Sequence, residues 1–499
     1  MKYDTIIIGA GMAGLTCALK LSAAGKKVLV LEKQPVPGGF ATGFKRKGFF
    51  FESALHCVDA LGKGQKVRDF LVETGVAGGL EFIELRDLAR IIYPQHDFVA
   101  EASRESLLDY FKHSFPQEKN NIDRIFAEFD AFYKHFDRFD DSRLPEWLKL
   151  CLTLFLYPRI IKMSCLTCEQ VIVKHTHDKK LQAMVSSIWG FMGLPPQRLS
   201  AFYFLIIFRA YHYYPNVYVR GGFSRMFEAM ANKIRENGSE VMFNTVAKEI
   251  VTDGRRCFKA VVTDKAGRIE ARSAVSGADC FSTLTGLLDD EAVKEDYRKK
   301  MSAFEKSVSA FQVYLGLKVP AKALGMGRFM CFINSSYDHS ASFEASLRGD
   351  YLNGIISAVD HAQLDPELVP FGKGELLIFT LDNYANWKSL SEQEYKDKKA
   401  QVARILIKRV EKYLPGLTDN IEVMETATPM TMARYGSSSE GAIYGLAQTV
   451  PQASINRLSQ KTKIKGLFLA GAWTRPGGGV HGCFVSGSDA AGLVSKYLK

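Results

Sequence analysis

The chain has 499 residues, of which 65 are lysine or arginine and 54 are aspartate or glutamate, so its formal net charge is +11. It is 47% hydrophobic and 24% charged, which excludes a disordered, collagen-like or disulfide-scaffold protein. The positive charge leaves nucleic acid or an anionic membrane surface as possible partners. No basic tract or recognition motif accompanies the charge, so we expect no nucleic acid.

Cysteine usage and the absence of a leader pattern indicate the compartment. Nine scattered cysteines, odd in number, favour a reducing, cytoplasmic setting over a disulfide framework. Cys165 and Cys168 form a CxxC pair without further ligands at metal spacing, so we expect ordinary thiols and no metal site. No secretory signal is visible, and no uninterrupted apolar run reaches the ~18–20 residues of a spanning helix.

The first fifty residues predict a nucleotide-binding unit of strand, helix and strand. Residues 5–8 are a short apolar strand, residues 9–14 read GAGMAG, and apolar residues then recur at helical spacing. Residues 28–31 form a second strand, which ends at Glu32. A GxGxxG loop between a strand and a helix is typical of dinucleotide binding.

The three glycines and the acid have separate expected roles. Gly9 permits the tight turn, and Gly11 lets the backbone approach a pyrophosphate at the helix N-terminus. Gly14 permits close packing of the helix on the strand. Glu32 can accept hydrogen bonds from ribose hydroxyl groups.

A second glycine pair favours FAD over a nicotinamide dinucleotide. Gly38 and Gly39 follow the acid at a spacing that resembles the extended FAD signature of flavin oxidoreductases, which include amine oxidases and carotenoid desaturases. This second glycine turn can lie beside the pyrophosphate and ribitol. Lys33, Lys45 and Arg46 are expected nearby as cations.

Two later segments complete the expected flavin domain. Residues 219–285 contain a glycine pair, a helical pattern and several short strands. Residues 466–472 are a buried strand, and a glycine loop at residues 477–479 precedes a final helix. This corner can meet the ribitol and the pyrimidine edge of a flavin ring.

The predicted fold class is therefore α/β, or α+β overall, with a Rossmann-type FAD-binding domain interleaved with a mixed sheet-and-helix substrate domain. Within the substrate domain we predict a half-buried strand at residues 311–317 and helices near residues 122–136 and 391–413. The predicted boundaries are 1–75, 219–299 and 421–499 for the FAD-binding domain, 76–140 and 300–420 for the substrate domain, and 141–218 for a helical subdomain that could face a membrane.

Two apolar segments raise the question of a peripheral membrane location. Residues 147–157 and 201–208 are apolar and aromatic, with cations beside them. Between Arg198 and Arg225 there are four arginines and no acid. Such a pattern is typical of a helix lying in a bilayer interface. The alternative is a pair of buried helices in the substrate domain.

Taken together, the motifs resemble the phytoene desaturase family of FAD-dependent oxidoreductases, and within it the carotenoid isomerase and retinol saturase branch. They run in the family's order from end to end, and the two C-terminal pieces narrow the resemblance. His481 stands where carotenoid desaturases usually have proline, and Trp473 where they usually have a small residue, so the substrate does not carry over. The matching pieces are residues 9–14, 31–33 with 38–39, 49–53, 221–222, 427–429 with 441–445, and 471–480.

The resemblance implies FAD as cofactor and hydride exchange between flavin N5 and a carbon–carbon double bond of a polyene or isoprenoid lipid. It leaves open whether the chain is a desaturase, saturase or isomerase, and whether quinone, oxygen or a reductant is the electron partner. Two other classes stay open: a flavin amine or steroid oxidase, and a non-enzymatic prenyl-lipid escort of the same fold.

Three side chains are candidates for proton transfer, because each lies in a segment expected to approach the flavin ring. They are His56, His481 and Tyr444, and a purely structural role is the alternative for each. The expected cofactor contacts are Gly9, Gly11, Met12, Ala13, Gly14, Glu32, Lys33, Gly38, Gly39, Val246, Gly471, Gly478, Gly479 and Val480.

Overall fold

The computed structural model describes residues 2–142 and 155–499. Within them the strands are Tyr3–Ile8, Val28–Leu31, Gly43–Arg46, Phe49–Glu52, Phe82–Leu85, Asp87–Tyr93, His96–Glu101, Asn216–Val219, Glu240–Met242, Ala247–Thr252, Phe258–Thr263, Gly267–Ser276, Ser309–Leu317, Met330–Ile333, Ile356–Val359, Gly374–Asp382, Ile421–Ala427 and Leu467–Leu469. The α-helices are Met12–Ala23, Lys66–Glu73, Arg104–Ser114, Lys119–Asp140, Pro158–Ser164, Cys168–Val173, Lys179–Val185, Ala201–His212, Phe223–Glu236, Glu291–Met301, His339–Leu347, Glu392–Glu411, Pro429–Gly436 and Val480–Tyr497.

The first of two seven-stranded sheets draws its strands from both ends and the middle of the chain. Tyr3–Ile8 lies parallel between Val28–Leu31 and Gly267–Ser276. Glu240–Met242 and Leu467–Leu469 add parallel neighbours on either side. Continuous apolar runs suit these positions because a parallel sheet is covered on both faces. The arrangement confirms the predicted α/β class.

In the second sheet Ser309–Leu317 is the second strand from one edge, and its burial and its pairing differ from the predictions. This strand is buried along its whole length, not half-buried, because the helix Glu392–Glu411 packs on one face and aromatic residues such as Phe49 on the other. Ile421–Ala427 pairs antiparallel with it, so residues 421–427 belong to this sheet and not to the FAD-binding part. Its strand order is Ile421–Ala427, Ser309–Leu317, Gly374–Asp382, Ile356–Val359, Met330–Ile333, Asp87–Tyr93 and His96–Glu101.

The apolar segment at residues 201–208 forms the helix Ala201–His212, which packs against Lys119–Asp140. Phe208 meets Phe129 edge to face, with ring centroids 5.3 Å apart. The helix thus has a buried face inside the protein, as in the buried-helix alternative. Among the described residues, no helix is both long and apolar enough to cross a membrane.

The arginines expected at the edge of that helix form salt bridges with acidic side chains from distant segments of the chain. Arg198 contacts Glu305 at 2.6 Å, and Arg209 contacts Asp137 at 2.6 Å. Such pairs neutralise part of the cationic edge that the sequence suggested. The membrane surface stays a prediction, and most of the other apolar segment, residues 147–154, lies outside the described residues.

Candidate functional site

A cavity of about 500 Å³ lies where the two sheets and the helix Ala201–His212 meet. Its volume falls within the range of small-molecule and cofactor sites. We call two groups of lining residues the glycine part and the apolar part. The glycine part contains Gly9, Gly11, Gly38, Gly39, Gly471, Gly478 and Gly479, and the apolar part contains Phe191, Ile207, Tyr211, Phe332, Ile355 and Phe379.

In the glycine part, the second glycine turn packs directly on the first. The Gly38 N–H donates to the Ala10 carbonyl oxygen at 2.9 Å, and a Cβ on Gly39 would lie 3.5 Å from the Gly11 Cα. Gly38 has φ = +119°, a conformation that favours glycine. The two motifs that the sequence separates by more than twenty residues therefore form one surface.

Open space and free helix N-termini make the glycine part suitable for a dinucleotide. A Cβ on Gly11 or on Gly479 would meet no atom within 4 Å. These two glycines precede the helices Met12–Ala23 and Val480–Tyr497, and neither end has a side-chain cap. Unpaired N–H groups at a helix N-terminus bind anions such as a pyrophosphate. The residues present thus fit FAD.

All the predicted cofactor contacts except Gly14 line this cavity. Gly14 lies outside the cavity lining: a Cβ there would lie 2.0 Å from the Gly9 carbonyl oxygen, which is the close helix–strand packing that the sequence predicted. The contacts that line the cavity are Gly9, Gly11, Met12, Ala13, Glu32, Lys33, Gly38, Gly39, Val246, Gly471, Gly478, Gly479 and Val480.

Glu32 and Val246 line the cavity, and both form hydrogen bonds with other residues of the protein. The Glu32 carboxylate accepts the Ala10 N–H at 2.7 Å, which ties the acid to the first glycine loop. The Val246 N–H donates to Asp264 at 2.8 Å, and the Val246 carbonyl oxygen accepts the Asp264 N–H at 3.0 Å. The backbone N–H and C=O of Val246 therefore both form hydrogen bonds with Asp264. Its side chain is the part of the residue that is available to contact a ligand in the cavity.

Of the three cations expected near the cofactor, only Lys33 lines the cavity. Its ammonium donates to the Arg434 carbonyl oxygen at 2.7 Å. Lys45 and Arg46 are exposed on the strand Gly43–Arg46, outside the cavity lining. Both side chains are exposed at the end of this strand, and Arg46 pairs there with Glu425.

The three proton-transfer candidates, His56, His481 and Tyr444, all line the same cavity. His481 Nδ1 lies 3.0 Å from the carboxylate of Asp59, which also lines the cavity. Burial alone would lower the pKa of His481, but the hydrogen bond and charge of Asp59 outweigh it and raise the pKa above its ordinary value.

His56 has the opposite electrostatic environment. Burial, with a smaller effect from His361, lowers the pKa of His56 to about 3, so the ring is neutral near neutral pH. Its Nδ1 is buried and has no hydrogen-bond partner. The Tyr444 hydroxyl donates to the Gly190 carbonyl oxygen at 3.1 Å, and burial raises its pKa, so Tyr444 stays protonated.

A buried ionisable cluster lies behind His56. The ring of His361 is 6.0 Å from that of His56 and bonds Glu375 through Nδ1 at 3.0 Å. Its Nε2 lies 3.1 Å from the Leu55 carbonyl oxygen, so both ring nitrogens are occupied. Burial raises the pKa of the neighbouring Glu52 to about 7. This cluster fixes the segment that carries His56.

Sequence reasoning missed Asp59 and the apolar part of the cavity. Asp59 lies three residues after His56, in a segment that is expected to approach the flavin ring. This position in the sequence could have indicated that Asp59 belongs to the site. Phe332 and Phe379 lie in strands whose patterns are those of ordinary core strands. No group of side chains suited to a metal ion occurs among the residues described.

Comparison with solved structures identifies the fold. An oxidoreductase from Methanosarcina mazei is 16% identical, with a TM-score of 0.64 over 97% of this chain and 99% of its own. Cyclohexylamine oxidase from Brevibacterium oxydans is 13% identical, with a TM-score of 0.61 over the whole of both chains. These similarities show the fold alone.

Several curated proteins are similar to this chain over nearly its full length. Prolycopene isomerase 2, chloroplastic, of an Oncidium hybrid cultivar is 26% identical, covering 100% of this chain and 84% of its own. All-trans-retinol 13,14-reductase of Danio rerio is 25% identical, covering 94% and 82%. A 4,4'-diapophytoene desaturase of Methylomonas is 24% identical, covering 98% and 95%.

The family model described as flavin containing amine oxidoreductase matches residues 12–495. The match begins just after the first strand and the first glycine turn, and it covers the rest of the glycine part, the apolar part of the cavity and the whole of the second sheet. It confirms the expectation of FAD as cofactor and of oxidoreductase activity. Because it covers nearly the whole chain, this protein belongs to the flavin-containing amine oxidoreductase family and is an FAD-dependent oxidoreductase.

Proposed function

We propose that this enzyme acts on a carbon–carbon double bond of an apolar polyene, as a desaturase, saturase or isomerase. The observation that carries the proposal is the apolar part of the cavity, continuous with the glycine part that fits FAD. The names of the relatives support it, since they refer to prolycopene, retinol and diapophytoene.

The apolar part suits a ligand without hydrogen-bonding groups along its length. Phe191 stacks on Tyr211 with ring centroids 4.8 Å apart and meets Phe332 edge to face at 5.0 Å. Ile355 and Phe379 come from the second sheet and add aliphatic and aromatic surface. A polyene gains affinity in such a site mainly by removing apolar area from water.

The acids around the cavity favour a polyene over an amine. An amine that binds as its ammonium ion is stabilised by an unpaired carboxylate. Of the carboxylates that line the cavity among the described residues, Glu32 and Asp279 accept backbone N–H groups, and Asp59 pairs with His481. Each of these lining carboxylates therefore already has a hydrogen-bond partner in the protein.

In this proposal FAD supplies hydride exchange when bound, and the chain supplies position and protons. The apolar part orients the double bond and excludes water. In its charged form His481 carries a proton at Nε2, because Nδ1–H donates to Asp59, and the hydrogen bond and charge of Asp59 raise the pKa of the ring. His56, neutral because of burial, contributes shape and a dipole but not an acidic proton.

An asparagine in the apolar part should weaken substrate binding without affecting FAD. Ile207 lines the cavity, whereas Ile206, next to it on the same helix, does not, although both are half-buried. We expect Ile207→Asn to raise the KM for a polyene by about 10-fold, the effect of about 1.4 kcal/mol from an unpaired amide. Steady-state kinetics with retinol and with a longer carotene give the KM.

Ile206→Asn is the matched control, and its KM should stay near that of the wild-type enzyme. Both variants should retain the wild-type FAD content. Equal KM values for the two variants would contradict the assignment of the apolar part as the polyene site.

A further inference from the structure

Arg457 is a buried arginine beside the cavity, with only 2% of its surface exposed. Its guanidinium donates to backbone carbonyl oxygens, at 3.0 Å to Thr474 and 2.9 Å to Leu446. It also donates to the carbonyl oxygens of Ala472 and Tyr444. Carbonyl oxygens satisfy hydrogen bonds but do not neutralise the charge.

No carboxylate pairs with Arg457 among the described residues, since no acid lies within ion-pair distance of it. The nearest titratable groups are Tyr203, Cys280 and Cys483, and burial raises the pKa of each, so all three are neutral near neutral pH. Burial lowers the pKa of Arg457 to about 10, which still leaves it charged. The chain therefore retains an uncompensated buried cation, which is costly unless it meets a negative charge.

This charge lies close to the wall of the cavity. The peptide units 444–445 and 472–473 carry two of the carbonyl groups that bond Arg457, and the residues of both units line the cavity. A trans peptide with its C=O toward the arginine directs its N–H away from it. The positive ends of both peptide dipoles therefore point away from the guanidinium, and they extend its positive potential in that direction.

Unpartnered polar atoms surround the arginine. Arg457 Nη1 and both amide atoms of Gln448 are buried without a hydrogen-bond partner. A Cβ on Gly477 would lie 2.0 Å from Gln448 Nε2 and 3.6 Å from Arg457 Cζ, which places both side chains against the C-terminal glycine loop. The following glycines, Gly478 and Gly479, belong to the glycine part of the cavity.

We propose that Arg457 supplies the positive potential that stabilises the negative charge gained by FAD on reduction, and thereby raises the reduction potential of the bound cofactor. The inference rests on FAD binding and is independent of the identity of the polyene. In a low-dielectric interior a charge acts across a peptide layer with little screening.

Gln448→Glu tests this inference by placing a carboxylate beside Arg457. We expect the variant to bind reduced FAD about tenfold more weakly relative to oxidised FAD, which lowers the midpoint potential by about 30 mV for a two-electron couple. The midpoint is measured by anaerobic dye titration of the holoprotein without any polyene, so the result does not depend on the proposed reaction.

Gln448→Met is the matched control, because it replaces the amide, whose one side-chain neighbour of note is Tyr203, with an uncharged side chain of similar length. Its midpoint should stay near that of the wild-type protein. Equal midpoints in Gln448→Glu and Gln448→Met would overturn the inference and leave Arg457 with a structural role. If Gln448→Glu does not fold, Arg457→Lys and Arg457→Gln give the same comparison, and equal midpoints in that pair would likewise overturn it.

Discussion

The Gly11→Val variant is expected to fold but to be purified without FAD. Gly11 has φ = −77° and ψ = 179°, which any residue adopts, and its Cβ would meet no protein atom within 4 Å. A valine there is therefore tolerated by the chain but occupies the glycine part of the cavity. We expect FAD affinity to fall at least about 100-fold, or about 2.7 kcal/mol, measured by flavin absorbance per protein and by titration of the apoprotein.

Two further glycine variants separate cofactor loss from unfolding. Gly14→Ala puts a Cβ 2.0 Å from the Gly9 carbonyl oxygen, so thermal unfolding should show a destabilised or unfolded chain. Gly78 is exposed and has open space around it, so the Gly78→Val variant should retain the wild-type thermal stability and FAD content. Full FAD content in a folded Gly11→Val protein would contradict the assignment of the glycine part as the cofactor site.

His481→Gln is expected to lower kcat for the proposed polyene reaction by about 10²- to 10⁴-fold, the usual contribution of general acid catalysis. FAD content should not change, because the variant keeps a polar side chain of similar reach. The variant is compared with His56→Gln, which removes a ring that burial already keeps neutral. A kcat for His481→Gln equal to that of the wild-type enzyme would remove His481 from the mechanism.

Asp59→Asn should shift the pH dependence in a defined direction. The hydrogen bond and charge of Asp59 raise the pKa of His481 against the effect of burial, so removing the charge lowers that pKa. The acidic form of His481 is lost as pH rises through this pKa. The alkaline limb of the kcat profile should therefore move to lower pH in Asp59→Asn and stay in place in His56→Gln.

The glycine part could be predicted from sequence because its function depends on backbone conformation. Gly9, Gly38 and Gly479 each have a positive φ, and Gly11 leaves open space. These properties require glycine at fixed spacings beside strands and helix ends, and such spacings are visible in one dimension. The same holds for the parallel strands of the first sheet, which are continuous apolar runs.

The other features depend on contacts between residues far apart in sequence. Asp59 and His481 meet across 422 positions, and the burial of Arg457 without an acid beside it in the described part of the chain is likewise visible only in three dimensions. Ile421–Ala427 joined the second sheet because its pairing partner is Ser309–Leu317, which no local pattern indicates. Local patterns identify strands and turns but not which distant side chains come together.

An anaerobic absorbance spectrum of the holoprotein mixed with a polyene tests the proposed function most directly. The proposal predicts one of three results: oxidised FAD is bleached by the polyene, reduced FAD is reoxidised by it, or the polyene isomerises over reduced FAD without net change in the flavin spectrum. These results identify a desaturase, a saturase and an isomerase respectively. Bleaching by an amine, with retinol and carotenes unchanged in every flavin state, would contradict the proposal.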